Sequence, residues 1–138
     1  MKGKGQLSLE YLILLAAALS AFALLLPLLN QTYETGLFAL DCANAKSFAN
    51  CLHQSSEELS MQADGSIKTL EASPVGEWVF SSMGKHLLLE VQGPSHSTKT
   101  FQIPFPKQEP AVNFSISQKT RISLSNKGGK VLLEYHQP

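Results

Sequence analysis

The sequence predicts an α+β fold, with a long N-terminal membrane and stalk helix followed by a small antiparallel β-sheet head. Three observations carry that expectation. An uncharged apolar run occupies residues 12–29. A helical, amphipathic pattern follows within residues 30–62. From residue 63 onward the pattern changes to short alternating runs punctuated by Gly, Asn and Pro.

The apolar run reads LILLAAALSAFALLLPLL, eighteen residues with Ser20 as its one polar side chain. As a helix it measures about 27 Å, close to the roughly 30 Å hydrocarbon core of a bilayer. A helix that is apolar all round needs apolar surroundings on every side. The remainder of a 138-residue chain is too short to wrap it, so a membrane is its expected environment. Lys2 and Lys4 precede the run, and nothing acidic comes before Glu10. Positive charge at that end holds the N-terminus in the cytoplasm and leaves everything after Leu29 outside. The expected localisation is a single-pass membrane precursor with an extracytoplasmic C-terminal head. Asn30 and Asn113 open Asn-x-Ser/Thr sequons compatible with N-glycosylation on that side, although such sequons are also frequent by chance.

Three details of this segment bear on its use. Pro27, near the outer end, removes a backbone hydrogen bond and is expected to kink the helix. The small-x-small triplets Ala18-Leu19-Ser20 and Ala21-Phe22-Ala23 sit inside the run, which is the wrong place for an ordinary secretory cleavage site. Glu10 lies at the very start, among Leu7, Leu9 and Tyr11. An acid is costly in lipid, so it is either hydrated at headgroup depth or functional.

The string Lys4-Gly5-Gln6-Leu7-Ser8-Leu9-Glu10-Tyr11-Leu12 resembles the class III signal peptide of archaeal type IV pilin-like proteins. There a short basic leader ends in Gly, cleavage precedes a Gln, and the pattern Gln-x-Ser-x-Glu-x-Leu follows. Gln6, Ser8, Glu10 and Leu12 match it position by position. The resemblance covers about a dozen residues and the helix behind them, not the head. It implies a leader over residues 1–5, a filament-core helix over 6–29, a stalk over 30–62 and a head over 63–138. It also implies cleavage between Gly5 and Gln6 by a membrane-embedded prepilin peptidase. Glu10 would then pair with the freed amine of Gln6 on a neighbouring pilin subunit. The expected partners are that peptidase, neighbouring subunits, and membrane lipid before assembly. The start lacks the Gly-rich opening of archaellins, which favours an adhesive pilus over a swimming filament.

In the stalk, Tyr33, Leu37, Leu40, Phe48, Cys51 or Leu52, and Leu59 recur at helical intervals. Gly36 is a point where the helix can break in two. Cys42 and Cys51 stand nine residues apart. In one straight helix that is about 13 Å and opposite faces, too far for a disulfide that needs Cα atoms within about 7 Å. Outside the cytoplasm a cysteine pair favours a bridge. A disulfide, through a helical hairpin or a kinked stalk, and two free thiols therefore both stay open.

For the head, six or seven antiparallel strands are expected to pack on the C-terminal half of the helix. Hairpin turns fall at Ser82-Met83-Gly84-Lys85 and at Asn126-Lys127-Gly128-Gly129. The second hairpin should turn Ile122 and Leu124 inward against Val131, Leu133 and Tyr135. Pro104, Pro106 and Pro110 mark an edge or a loop, with an exposed loop over 107–110.

Nothing in the sequence forms a catalytic constellation. The eleven basic and eleven acidic residues cancel and form no basic stripe, which argues against nucleic acid. His53, His86, His96 and His136 are scattered without ligand spacing. Glu57-Glu58 reads as a solvated helix face. Trp78, Phe80, Phe101 and Phe105 on alternating strands read as core before ligand surface. No enzyme activity, metal or cofactor is expected. The leading expectation is a structural pilin subunit, major or minor. The alternative is an extracytoplasmic binding module, membrane-anchored or secreted, that does not polymerise.

Overall fold

The computed structural model describes residues 3–106 and 112–136. The loop expected over 107–110 and Lys2 of the leader lie outside the described residues. One helix, α1 (Gly3–Met61), is followed by seven strands. These are β1 (Ile67–Ala72), β2 (Glu77–Met83), β3 (His86–Gln92), β4 (Thr98–Pro104), β5 (Asn113–Ile116), β6 (Thr120–Lys127) and β7 (Lys130–His136). The layout is α+β, a long apolar N-terminal helix ahead of a small antiparallel head. The chain divides into two compact units, Met1–Gly36 and Leu37–Pro138. α1 supplies the first and opens the second without interruption at Pro27 or Gly36. The break considered at Gly36 does not occur.

All strand pairing is antiparallel, in two sheets of order β1-β6-β7 and β4-β3-β2-β5. Local chemistry fixes both predicted hairpins. Gly128 and Gly129 both have positive φ, 61° and 75°, as a type I′ turn requires, so Asn126 and Lys127 remain in β6. Gly84 takes φ 60° between β2 and β3, the first central position of a type II′ turn. In the β6–β7 register, Ile122 faces Tyr135 and Leu124 faces Leu133. Ile122, Leu124 and Val131 are buried as expected, whereas Tyr135 remains 44 % exposed.

The core joins helix and sheets. Ala45, Phe48, Ala49, Leu52 and Leu59 of α1 are buried against Trp78, Phe80, Leu87, Leu89, Ile103, Ile122 and Leu124. These helical positions recur at three- and four-residue steps, one stripe of the helix. The small Ala45 and Ala49 let the strands approach the helix backbone. Tyr33 and Leu40, placed on the stripe by sequence, are exposed. Phe48 packs on Trp78 and Phe80 at centroid distances of 5.7 and 6.2 Å. Phe80 stacks on Phe114 at 4.8 Å, and Phe114 on Tyr135 at 4.3 Å. The last stack links β5 of one sheet to β7 of the other.

Two polar side chains lock the helix to the head. Asp41 is 2 % exposed, and its carboxylate accepts from three N–H groups. Oδ1 takes the Val75 backbone at 2.9 Å and the Trp78 indole at 2.7 Å, while Oδ2 takes the Gly76 backbone at 2.8 Å. At the other end of this segment, Asn126 Nδ2 donates to the carbonyls of Leu59 and Gln62, at 2.9 and 3.0 Å. Those carbonyls are helix-end acceptors with no partner inside α1. Glycine is needed where the β3–β4 connection passes the helix. A Cβ on Gly93 would come within 2.6 Å of the Phe38 ring.

Asp41→Asn leaves one acceptor oxygen where there were two and turns an NH₂ toward a backbone N–H. The head should lose about 2–3 kcal/mol, since a hydrogen bond to a charged group is worth about 1.5–3 kcal/mol. A lower urea midpoint in detergent, against the unchanged chain, checks this.

Candidate functional site: the exposed apolar helix

The N-terminal unit is a single helix whose side chains meet solvent on every side. Eleven large apolar residues between positions 12 and 29, from Leu12 to Leu29, are each at least half exposed. At about 1.5–3 kcal/mol per fully buried side chain, leaving them in water forgoes roughly 15–30 kcal/mol. That exceeds the 5–15 kcal/mol by which a typical domain is folded. The apolar window is 0 % buried, so it is not a buried core helix. α1 is long and apolar enough to cross a membrane, and the chain is placed as a single-pass membrane protein on that ground.

The polar groups inside this segment are handled locally. The Ser20 hydroxyl donates to the Ala16 carbonyl at 2.8 Å, which hides its one hydrogen inside the helix. Thr32 and Thr35 do the same with Leu28 and Gln31. Such back-bonding removes the penalty of an unpaired hydroxyl in hydrocarbon. Pro27 brings no N–H, so the Ala23 carbonyl four residues back has no helical partner.

The motif residues take defined places. Gln6 and Glu10 stand one turn apart on one face of α1, and Ser8 and Leu12 one turn apart on another. All four are exposed, as are Leu9 and Tyr11 on either side of Glu10. Gly5 lies in the opening turns of the same helix. Asn30 is helical, with its Nδ2 donating to Glu34 at 3.0 Å. Asn113 is exposed at the start of β5.

Cys42 and Cys51 are free thiols. The intrachain disulfide left open by the sequence does not form, because α1 runs straight through both positions and holds them about 13 Å apart. Cys51 is exposed and lines a groove of about 330 Å³ between α1 and β1, with Phe48, Leu70 and Trp78. Cys42 is half-buried, and burial pushes its thiol pKa up. The neighbouring Asp41 charge adds to that rise, and Lys99 opposes it.

The remaining candidates disperse. Trp78, Phe80 and Phe105 are core residues and Phe101 packs against them, so they form no open ligand surface. His53 contacts the Pro104 carbonyl through Nδ1 at 3.0 Å and Glu57 through Nε2 at 3.6 Å. Glu58 is paired with Lys68, whose ammonium holds its carboxyl below the usual range. Among the described residues, no three His, Cys, Asp or Glu side chains are grouped to hold a metal. Sequence reading missed Asp41 and Asn126. Asp41 had a visible signal, since it stands four residues before Ala45 and seven before Phe48 on the buried stripe.

No protein-family model matches this chain, nor does any curated protein or solved structure.

The two thiols should differ in reactivity. In detergent at neutral pH, a maleimide should label Cys51 several-fold faster than Cys42, because access is greater and the raised pKa of Cys42 depletes its thiolate. Peptide masses after brief labelling check this, and equal rates would contradict the packing around Cys42.

Proposed function

We propose that this chain is a structural subunit, a major or minor pilin, of an archaeal type IV pilus-like surface filament. A prepilin peptidase cuts between Gly5 and Gln6. The mature subunit begins at Gln6, leaves the bilayer and packs its helix among the helices of neighbouring subunits. The head faces outward for adhesion or surface contact. One observation carries this reading: the Gln6-x-Ser8-x-Glu10-x-Leu12 spacing opens a helix that stays apolar and uncovered all round.

The energetics support a move from lipid into a helical bundle. Both surroundings are apolar, so the transfer changes the hydrophobic term little, and close packing decides it. Ala16 and Ser20, and Ala17 and Ala21, are small residues four apart. Such pairs let neighbouring backbones approach. Glu10 is the exception on this surface, because a carboxylate without a partner is expensive in an apolar core. Pairing with the amine that cleavage creates on a neighbour's Gln6 removes that cost and fixes the axial register between subunits.

The mass of the N-terminal peptide of the mature protein, taken from its native cells, is the first test. A chain starting at Gln6 is expected. A start at Met1 would point to an anchored module that does not polymerise, and a start beyond residue 20 to a secreted one. Glu10→Gln should still be cleaved yet yield at least tenfold less filament by sedimentation and negative-stain microscopy. Normal assembly of that variant would remove the pairing role of Glu10.

A further inference from the structure

We infer that Tyr11 and Tyr33 anchor α1 to the two interfaces of a lipid bilayer and set the depth at which the bilayer holds the chain. The partner is the headgroup layer of a phospholipid membrane. This rests on the single-pass placement of α1 and is independent of filament assembly.

Three aromatic residues occur between positions 1 and 36, and they fall at 11, 22 and 33. Eleven residues make about three turns, so Tyr11, Phe22 and Tyr33 follow one face of α1 with a drift of about 20° per step. All three are exposed. The two tyrosines stand about 33 Å apart along the axis, and the hydrocarbon core of a bilayer is about 30 Å thick. With Phe22 at the midplane, each tyrosine reaches one interface.

The residue types follow that depth. Phe22 differs from its two counterparts by one hydroxyl, a group that hydrocarbon cannot solvate. The hydroxyls of Ser20, Thr32 and Thr35 bond back to carbonyls of α1. A tyrosine hydroxyl is held away from the backbone by its ring, so it needs water or a headgroup oxygen. At an interface the ring lies against acyl chains while the hydroxyl stays wet. The neighbours agree, since Glu10 precedes Tyr11 and Thr32 and Glu34 flank Tyr33.

The depth has a consequence for the motif. With Tyr11 at the interface nearer the N-terminus, Glu10 lies on its water side. It needs no partner while the chain is in the bilayer. The Gly5–Gln6 bond lies about 8 Å further toward the N-terminus along the helix, clear of the hydrocarbon.

The test uses the full uncleaved chain in dioleoylphosphatidylcholine vesicles, on a background of Cys42→Ser and Cys51→Ser. A single cysteine introduced by Ser8→Cys, Ser20→Cys or Thr35→Cys carries a bimane, whose emission moves to the blue as it leaves water. The Ser20→Cys reporter should emit to the blue of the other two. Tyr33→Phe removes one hydroxyl and should move the Thr35→Cys reporter to the blue, as Tyr11→Phe should the Ser8→Cys reporter. Tyr33→Trp and Tyr11→Trp should restore the parent emission, because indole is also an interface group. Phe22→Leu should move none of the three. Unmoved Ser8→Cys and Thr35→Cys reporters in the phenylalanine variants overturn the anchoring, and a blue Ser20→Cys reporter then shows that the membrane placement stands without it. A Ser20→Cys reporter at the water value overturns the placement and the anchors together.

Discussion

The head depends on its grip on α1. Its two sheets, of three and four strands, are too small to bury a core between themselves without the helix. Five buried helix residues complete that core, and both ends of the contact are pinned by buried polar groups. At the first end Asp41 gathers the turn between β1 and β2, together with the Trp78 indole. At the second, Asn126 reaches from β6 to the carbonyl of Leu59 in the last turn of α1 and to that of Gln62 just beyond it. The apolar stripe between them supplies affinity without direction. The hydrogen bonds supply direction, because three N–H donors must converge on one carboxylate and one amide must reach two carbonyls. A helix rotated or slid by one residue would keep much of the hydrophobic contact and lose both clamps.

The same helix serves two kinds of surroundings. Over residues 41–59 its buried stripe is flanked by exposed Lys46, Glu57 and Asn50, the pattern of a helix at a protein–water boundary. Over residues 12–29 there is no polar face. The change occurs across Asn30, Thr32 and Glu34, whose side chains hydrogen-bond within the helix. Backbone hydrogen bonds that never leave the helix allow one element to pass from hydrocarbon to water. The two hydroxyls nearest that passage, Thr32 and Thr35, bond back onto α1 just as Ser20 does inside the apolar run.

Much of this was legible in the sequence, for identifiable reasons. Uniform hydrophobicity over eighteen residues needs no tertiary information, so the apolar helix and its exposure followed directly. Both tight hairpins followed from glycines that turn geometry requires, and strand alternation gave the inward faces of β2 and β6. The errors lie where tertiary context decides. Tyr33 and Leu40 have the right period but no strand reaches them. Ala45, Ala49, Ser55 and Ser56 are buried because the sheets come close, a fact that their own hydrophobicity does not announce. Gly36 weakens a helix by only about 1 kcal/mol relative to alanine, too little to break one that continues on both sides. Two cysteines nine apart looked like a possible bridge, and helix continuity, which periodicity alone did not establish, ruled it out. The role of Asn126 was hidden because Asn next to Lys-Gly-Gly reads as turn chemistry.

The sheet edges contrast with the apolar helix. Two open sheets expose four edge strands, β1, β7, β4 and β5. Exposed edges are templates for unwanted pairing unless they are blunted. β4 ends in Pro104 and carries Lys99. β7 carries Lys130, Glu134 and His136 on its exposed positions. β5 is only four residues long, and β1 holds Lys68 and Glu71 in ion pairs. Each edge thus carries one of the features that discourage strand addition. The apolar helix has Glu10 at its start and Pro27 near its outer end, with no charge between residues 12 and 29. With its sheet edges guarded and its N-terminal helix bare, the chain concentrates its apolar exposure on that helix, the surface that a bilayer covers.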